Sequence, residues 1–110
     1  MEINVSEFND IVLVNLVGKL DSTTAPEAET AINEYLDKKV PKMIINLKEA
    51  SYISSAGLRV FLATAKKMTA AGGAVKFCSP NDIVKEILDI SGFTTILDVK
   101  ATEEEAIGSL

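Results

Sequence analysis

The spacing of apolar positions changes several times along the chain, and each change marks an element. Ile3 and Val5 alternate with polar neighbours, the period of a half-buried strand. Asn9-Asp10 supplies turn chemistry, and "IVLVNLV" follows, rich in β-branched residues. Two strands so tightly joined predict a hairpin. From "LDSTTAPEAETAINEYLDKK" the period becomes helical, with Ala28, Ala31, Ile32, Tyr35 and Leu36 on one stripe. Thr24 and Glu27 read as a T-x-x-E capping box with Pro26 in the first turn, and Pro41 bars continuation. "KMIINL" is a short apolar run suited to a strand covered on both faces. A second helix carries Leu58, Phe61, Leu62, Ala65 and Met68 on its stripe and stops at Gly72-Gly73. "AVKFCS" reads as a strand. A third helix is expected from about Pro80 to Ile90, capped by an S-x-x-D box of Ser79 and Asp82, with Gly92 as its stop. "TILDV" reads as a last short strand, and "TEEEAIGSL" as a short helix capped by Thr102, its acidic face solvated.

The resulting order is ββαβαβαβα. Strands alternating with helices imply parallel pairing and right-handed crossovers. The expected fold is therefore α/β: a mixed, mostly parallel sheet of about five strands with four helices. Ligands and partners of such sheets meet loops at the carboxyl ends of the strands. Two loops qualify, "GKLDSTT" and "KEASYISSAG".

Composition narrows the function. The 110 residues, 47% hydrophobic and 25% charged, fit a single globular domain over 1–110. No apolar run approaches the roughly 20 residues of a membrane span, and no secretory signal opens the chain. A cytoplasmic location without membrane contact is expected. A net charge of −5 argues against nucleic acid as a partner. Cys78 is the single cysteine and is expected to be a buried apolar side chain.

The absence of histidine changes the picture most. It removes Ser-His-Asp and Cys-His relays and imidazole metal sites, and one cysteine builds no thiolate zinc site. No metal and no cofactor is expected, and the chain does not read as an enzyme.

At "ASYISSAGLRVF" two serines stand where a strand hands over to a helix. Either Ser54 or Ser55 can be an ordinary N-cap. "SSAGLR" lacks the phosphate-loop pattern, and "SAG" is not a nucleophile elbow. Lys66 and Lys67 lie about 15 Å along the helix from Ser55, too far to act as its base. A serine that accepts phosphate remains consistent: the positive end of a helix tolerates the added charge, and a closely packed partner does not.

These loops carry a resemblance. "MIINLKEASYISSAGLRVFLATAKKMTAAGGAVKFCSPNDIVKEILDISGFTTILDV" is similar to the core of a STAS domain, specifically a bacterial anti-anti-sigma factor (anti-sigma factor antagonist). "VGKLDSTTAPE" resembles that family's G-x-L-D loop, and "GGAVKFCSPNDIVKEILDISGF" its fourth strand and third helix. The resemblance spans about residues 3–108. It implies a module that captures an anti-sigma factor with serine kinase activity while unphosphorylated, releases it when one serine is phosphorylated, and is reset by a PP2C-type phosphatase. Counted back from Gly57, the acceptor falls on Ser55. The implied contact surface comprises Asp21, Ser22 and Thr23 of one loop and Ser54, Ala56, Gly57, Leu58 and Arg59 of the other. One departure stands out: Ser54 occupies a position that is usually Asp, and it offers a second hydroxyl that competes as acceptor. A ligand-sensing STAS module that binds a nucleotide, or a phospho-switched scaffold with a non-sigma output, are the alternative expectations.

Overall fold

A computed structural model describes all of residues 1–110. The first hairpin pairs β1 (Glu2–Phe8) with β2 (Ile11–Leu20), and Asn9 takes the left-handed conformation the turn needs, φ 55°. Helix α1 (Ala25–Asp37) crosses to β3 (Lys42–Asn46), which lies parallel to β2. A four-residue strand follows, β4 (Ala50–Ile53), then α2 (Ser55–Ala70), β5 (Ala74–Cys78) and α3 (Asp82–Ile90). A 3₁₀ turn at Phe93–Thr95, β6 (Val99–Lys100) and α4 (Glu103–Gly108) complete the order. The main sheet runs β1-β2-β3-β5-β6, antiparallel only between β1 and β2, and β4 pairs with the end of β2. The sheet thus has six strands, and the expected order gains one element, β4.

Period-two alternation builds cores on both faces of the sheet. Val12, Val14, Leu16, Met43, Ile45 and Phe77 join the cluster that includes Ala28 and Ile32 of α1 and Leu58, Phe61 and Met68 of α2. Phe61 and Phe77 meet as a tilted pair with ring centroids 4.9 Å apart. Ile11, Leu13, Ile44 and Cys78 point the other way, where Ala106 of α4 packs on them. That two-sided burial is why "KMIINL" reads as uninterrupted hydrophobicity. Cys78 is buried as expected, and burial pushes its thiol up. The C-terminal helix is capped by Thr102 and turns its acidic face outward as expected, and the fully buried Ala106 anchors it to the sheet.

Three local expectations are corrected. Thr24 precedes α1 but its hydroxyl caps nothing in the helix; it donates to Lys19 O instead, at 2.8 Å. The cap of α3 is Asn81, whose Oδ1 accepts from Val84 N–H at 3.1 Å, and the Ser79–Asp82 box does not form. The same Asn81 amide donates to the carbonyls of Ala50 and Lys48, tying α3 to the β3–β4 connection. "TILDV" yields only the two-residue β6, because the 3₁₀ turn takes up its start.

Strand β2 serves two partners in succession. Residues 11–15 pair with β3, and from Gly18 to Leu20 the strand pairs with β4, with a bulge between Gly18 and Lys19. Gly18 sits at φ +100°, which other residues adopt only under strain. This fork delivers the ends of β2 and β4 to the same edge of the molecule.

Candidate functional site

The hydroxyl pair lies where β4 gives way to α2. Ser54 N–H donates to Leu20 O at 2.8 Å, fastening the second loop to the end of β2. The Ser54 side chain is the N-cap of α2 and accepts from Gly57 N–H at 3.4 Å. Ser55 is the first residue of the helix, and its side chain is exposed. The serine ambiguity is thus divided by role: Ser54 caps, and Ser55 projects at the positive end of a 16-residue helix with nothing holding its hydroxyl.

Gly57 carries the geometry of this elbow. A Cβ there would lie 2.8 Å from Cγ of Leu20 and 3.0 Å from Cγ2 of Ile53, both fully packed. The first turn of α2 can press onto the ends of β2 and β4 only without a side chain. Gly57→Ala is expected to destabilise the fold by about 1–3 kcal/mol through overpacking, despite the better helix propensity of alanine. A urea midpoint unchanged from the parent protein would contradict this packing.

The stripe of α2 is centred differently from the sequence expectation. Val60 and Thr64 are buried, and Leu62 and Ala65 sit at its margin. Thr64 escapes a hydropathy reading because its hydroxyl is satisfied inside the helix, donating to Val60 O at 2.8 Å. Gly57 and Leu58 face inward, and Leu58 is only 7% exposed. Gly57 has no side chain to offer, and that of Leu58 is turned mostly into the core.

The Asp21 loop folds on itself. Asp21 Oδ1 accepts from Thr23 N–H at 2.9 Å and from Thr24 N–H at 3.1 Å, while Asp21 N–H donates to Thr24 Oγ1. The amides of Thr24 and then Thr23 hold this carboxyl below its usual range. Asp21 therefore shapes the entry to α1, and the freely exposed groups of the loop are Ser22 and Thr23. Between the first turns of the two helices lies an open groove of about 420 Å³. Ser22, Pro26 and Glu29 line one wall, and Ala56, Arg59 and Ala63 the other. The structure thus brings Ser22, Ala56 and Arg59 together, beside Ser55 at the head of α2.

A profile of the STAS domain family matches residues 2–106. The chain belongs to the STAS domain family, among the anti-sigma factor antagonists. BtrV of Bordetella bronchiseptica, assigned as an anti-sigma factor antagonist, is 31% identical, over 96% of this chain and 91% of its own. The anti-sigma-B factor antagonist of Bacillus subtilis is 28% identical, over 97% of both chains. Among solved structures, an anti-sigma factor antagonist from Mycobacterium paratuberculosis superposes with a TM-score of 0.90 at 21% identity, over 98% of this chain and 92% of that one. The antagonist SpoIIAA in its unphosphorylated form gives a TM-score of 0.81 at 24% identity, covering 96% and 93%. These superpositions show that the chain shares the fold of the anti-sigma factor antagonists.

Asp98 adds a second depressed carboxyl. Lys76 pairs with it directly and Lys100 approaches at 3.1 Å, and the Lys76 hydrogen bond is the main cause of its lowered pKa. Asp21 and Asp98 both bind protons more weakly when folded than when unfolded. Their contribution is complete above the unfolded carboxylate value of about 3.9. It is lost as pH falls further, through their folded values, because the unfolded chain then takes up the extra protons. Urea midpoints should stay level from neutral pH to about pH 5 and fall below about pH 4. Asp21→Asn with Asp98→Asn should flatten that fall; an equally steep fall in the double variant would rule out these two groups.

Proposed function

We propose that this STAS domain is a phosphorylation-switched anti-sigma factor antagonist whose acceptor is Ser55. It captures an anti-sigma factor with serine kinase activity when Ser55 is free and releases it once Ser55 is phosphorylated. The observation that supports this reading is the division of labour in the serine pair. Ser54 is occupied as the cap, whereas Ser55 is exposed at the head of α2 beside the groove. In the reaction the partner's ATP gives its γ-phosphoryl group to Ser55 Oγ, the hydroxyl proton departs, and ADP is the leaving product. The domain is the substrate, and its chemistry is that of being acted upon. A phosphatase of the PP2C type then hydrolyses the ester and restores the capturing form. The setting proposed is the cytoplasm, where ATP-dependent kinases of this kind work.

SpoIIAA, which shares the fold, has been solved both unphosphorylated and phosphorylated, in keeping with such a cycle. Incubation with a cognate kinase-type anti-sigma factor and ATP should add one phosphate, read by intact mass. Ser55→Ala should abolish the gain and Ser54→Ala should keep it. Phosphate retained in Ser55→Ala and lost in Ser54→Ala would reassign the acceptor, and no gain in any variant would sink the reading.

A further inference from the structure

Arg59 is the only cation in α2 before Lys66, and it lies one turn beyond Ser55. Residues four apart on a helix are surface neighbours, with Cβ atoms about 5–6 Å from each other. Helical side chains lean toward the N-terminus, so a long side chain at the later position reaches back over the earlier one. An acidic group followed four residues later by a basic one is also the favourable order along a helix. Arg59 is exposed and unengaged: the ion pairs of the structure join Lys42 to Asp10 and both Lys76 and Lys100 to Asp98.

We propose that Arg59 is the intramolecular partner of the Ser55 phosphate, clamping it onto the head of α2. The inference rests on the reading of Ser55 as acceptor. A phosphoserine brings about −1.5 to −2 charges and three acceptor oxygens, into a chain that already carries −5. A guanidinium presents a planar fork that suits phosphate oxygens two at a time. Across the groove Glu29 of α1 is the carboxylate that competes for Arg59, and no ion pair joins the two. Asp21 is held by its own loop, and Lys19 is exposed at the end of β2. The phosphate dianion, nearer along the helix and more highly charged, wins that competition. Phosphorylation then has two effects on a partner's surface: it adds an anion, and it withdraws the one cation of the groove. Arg59 is thus a positioning residue for the off state.

The test does not depend on any kinase. Phosphoserine is installed at position 55 during translation, in the parent chain and in Arg59→Gln and Arg59→Lys. The second phosphate ionisation, ordinarily near pH 6, is followed by phosphorus NMR. The helix dipole acts on all three proteins alike, so the difference between them isolates Arg59. The parent should titrate about half a unit below Arg59→Gln at low salt, Arg59→Lys should lie between, and about 0.5 M salt should close most of the gap. Parent and Arg59→Gln titrating together at low salt would overturn the pairing. A gap seen here alongside a failed kinase reaction would leave the pairing standing and remove the proposed function instead.

Discussion

Ser55→Asp is expected to lower affinity for the anti-sigma factor of the proposed cycle by at least about 100-fold, or about 2.7 kcal/mol, with little change in the stability of the domain. The two halves of that expectation have separate causes. Folding is spared because a carboxylate at the first position of α2 meets the positive end of the helix, which favours it by about 0.3–1 kcal/mol. The cap on Ser54 and the amide of Ser54 on Leu20 O stay as they were. Binding should suffer because, on the proposed reading, a partner that closes over Ser22, Ser55 and Ala56 would desolvate an added charge, and an unpaired charge in an interface costs about 2–5 kcal/mol. Ser55→Ala should bind as the parent does and ignore ATP. Surface plasmon resonance with the immobilised kinase measures both. Equal affinities for the Asp variant and the parent, with both folded by circular dichroism, would show that this end of α2 lies outside the interface.

Phe61→Ala is expected to remove about 3–5 kcal/mol of stability, a large share of the roughly 5–15 kcal/mol that holds a domain of this kind together. Phe61 is fully buried and stacks its ring 4.9 Å from that of Phe77. It joins α2, the helix headed by Ser55, to β5 in the parallel part of the sheet. Urea denaturation should show the midpoint falling by roughly 1–5 M for a slope of about 1–3 kcal/mol/M. A loss below about 1 kcal/mol would mean that α2 is seated by other contacts. Phe61→Leu should recover most of the deficit.

What was legible in the sequence follows from where periodicity is strong. The hairpin, α1, β3, α2 and β5 each bury a regular face, so their existence was written in spacing. β4 was not, because only Ala50 and Ile53 of its four residues are buried and the pair between them is exposed. Its strand character comes from the partner β2, not from its own composition. Capping was read less well: Asn81 hides between Ser79 and Asp82, and its choice depends on carbonyls contributed by residues 48 and 50. In the site, the resemblance to the STAS family singled out Ser55 and Asp21, where spacing alone left Ser54 and Ser55 equivalent. It could not say that Asp21 spends its carboxylate on its own loop, or that Leu58 points into the core. Those are matters of which way a side chain turns, and a helix stripe centred on Val60 and Thr64 instead of Leu62 and Ala65 was needed to see them.

The fork in β2 has a kinetic meaning. Its first five residues are locked between β1 and β3, whereas only three register pairs hold β4, two of them beyond the bulge. Amide protons in the two halves of one strand should therefore exchange with solvent on different clocks. Those of Val12 and Val14 should wait for global unfolding, while those beyond Gly18 should escape through small local openings. Selection can then tighten or loosen the end that leads into Ser54 and Ser55 by single substitutions in β4 without touching the persistence of the fold.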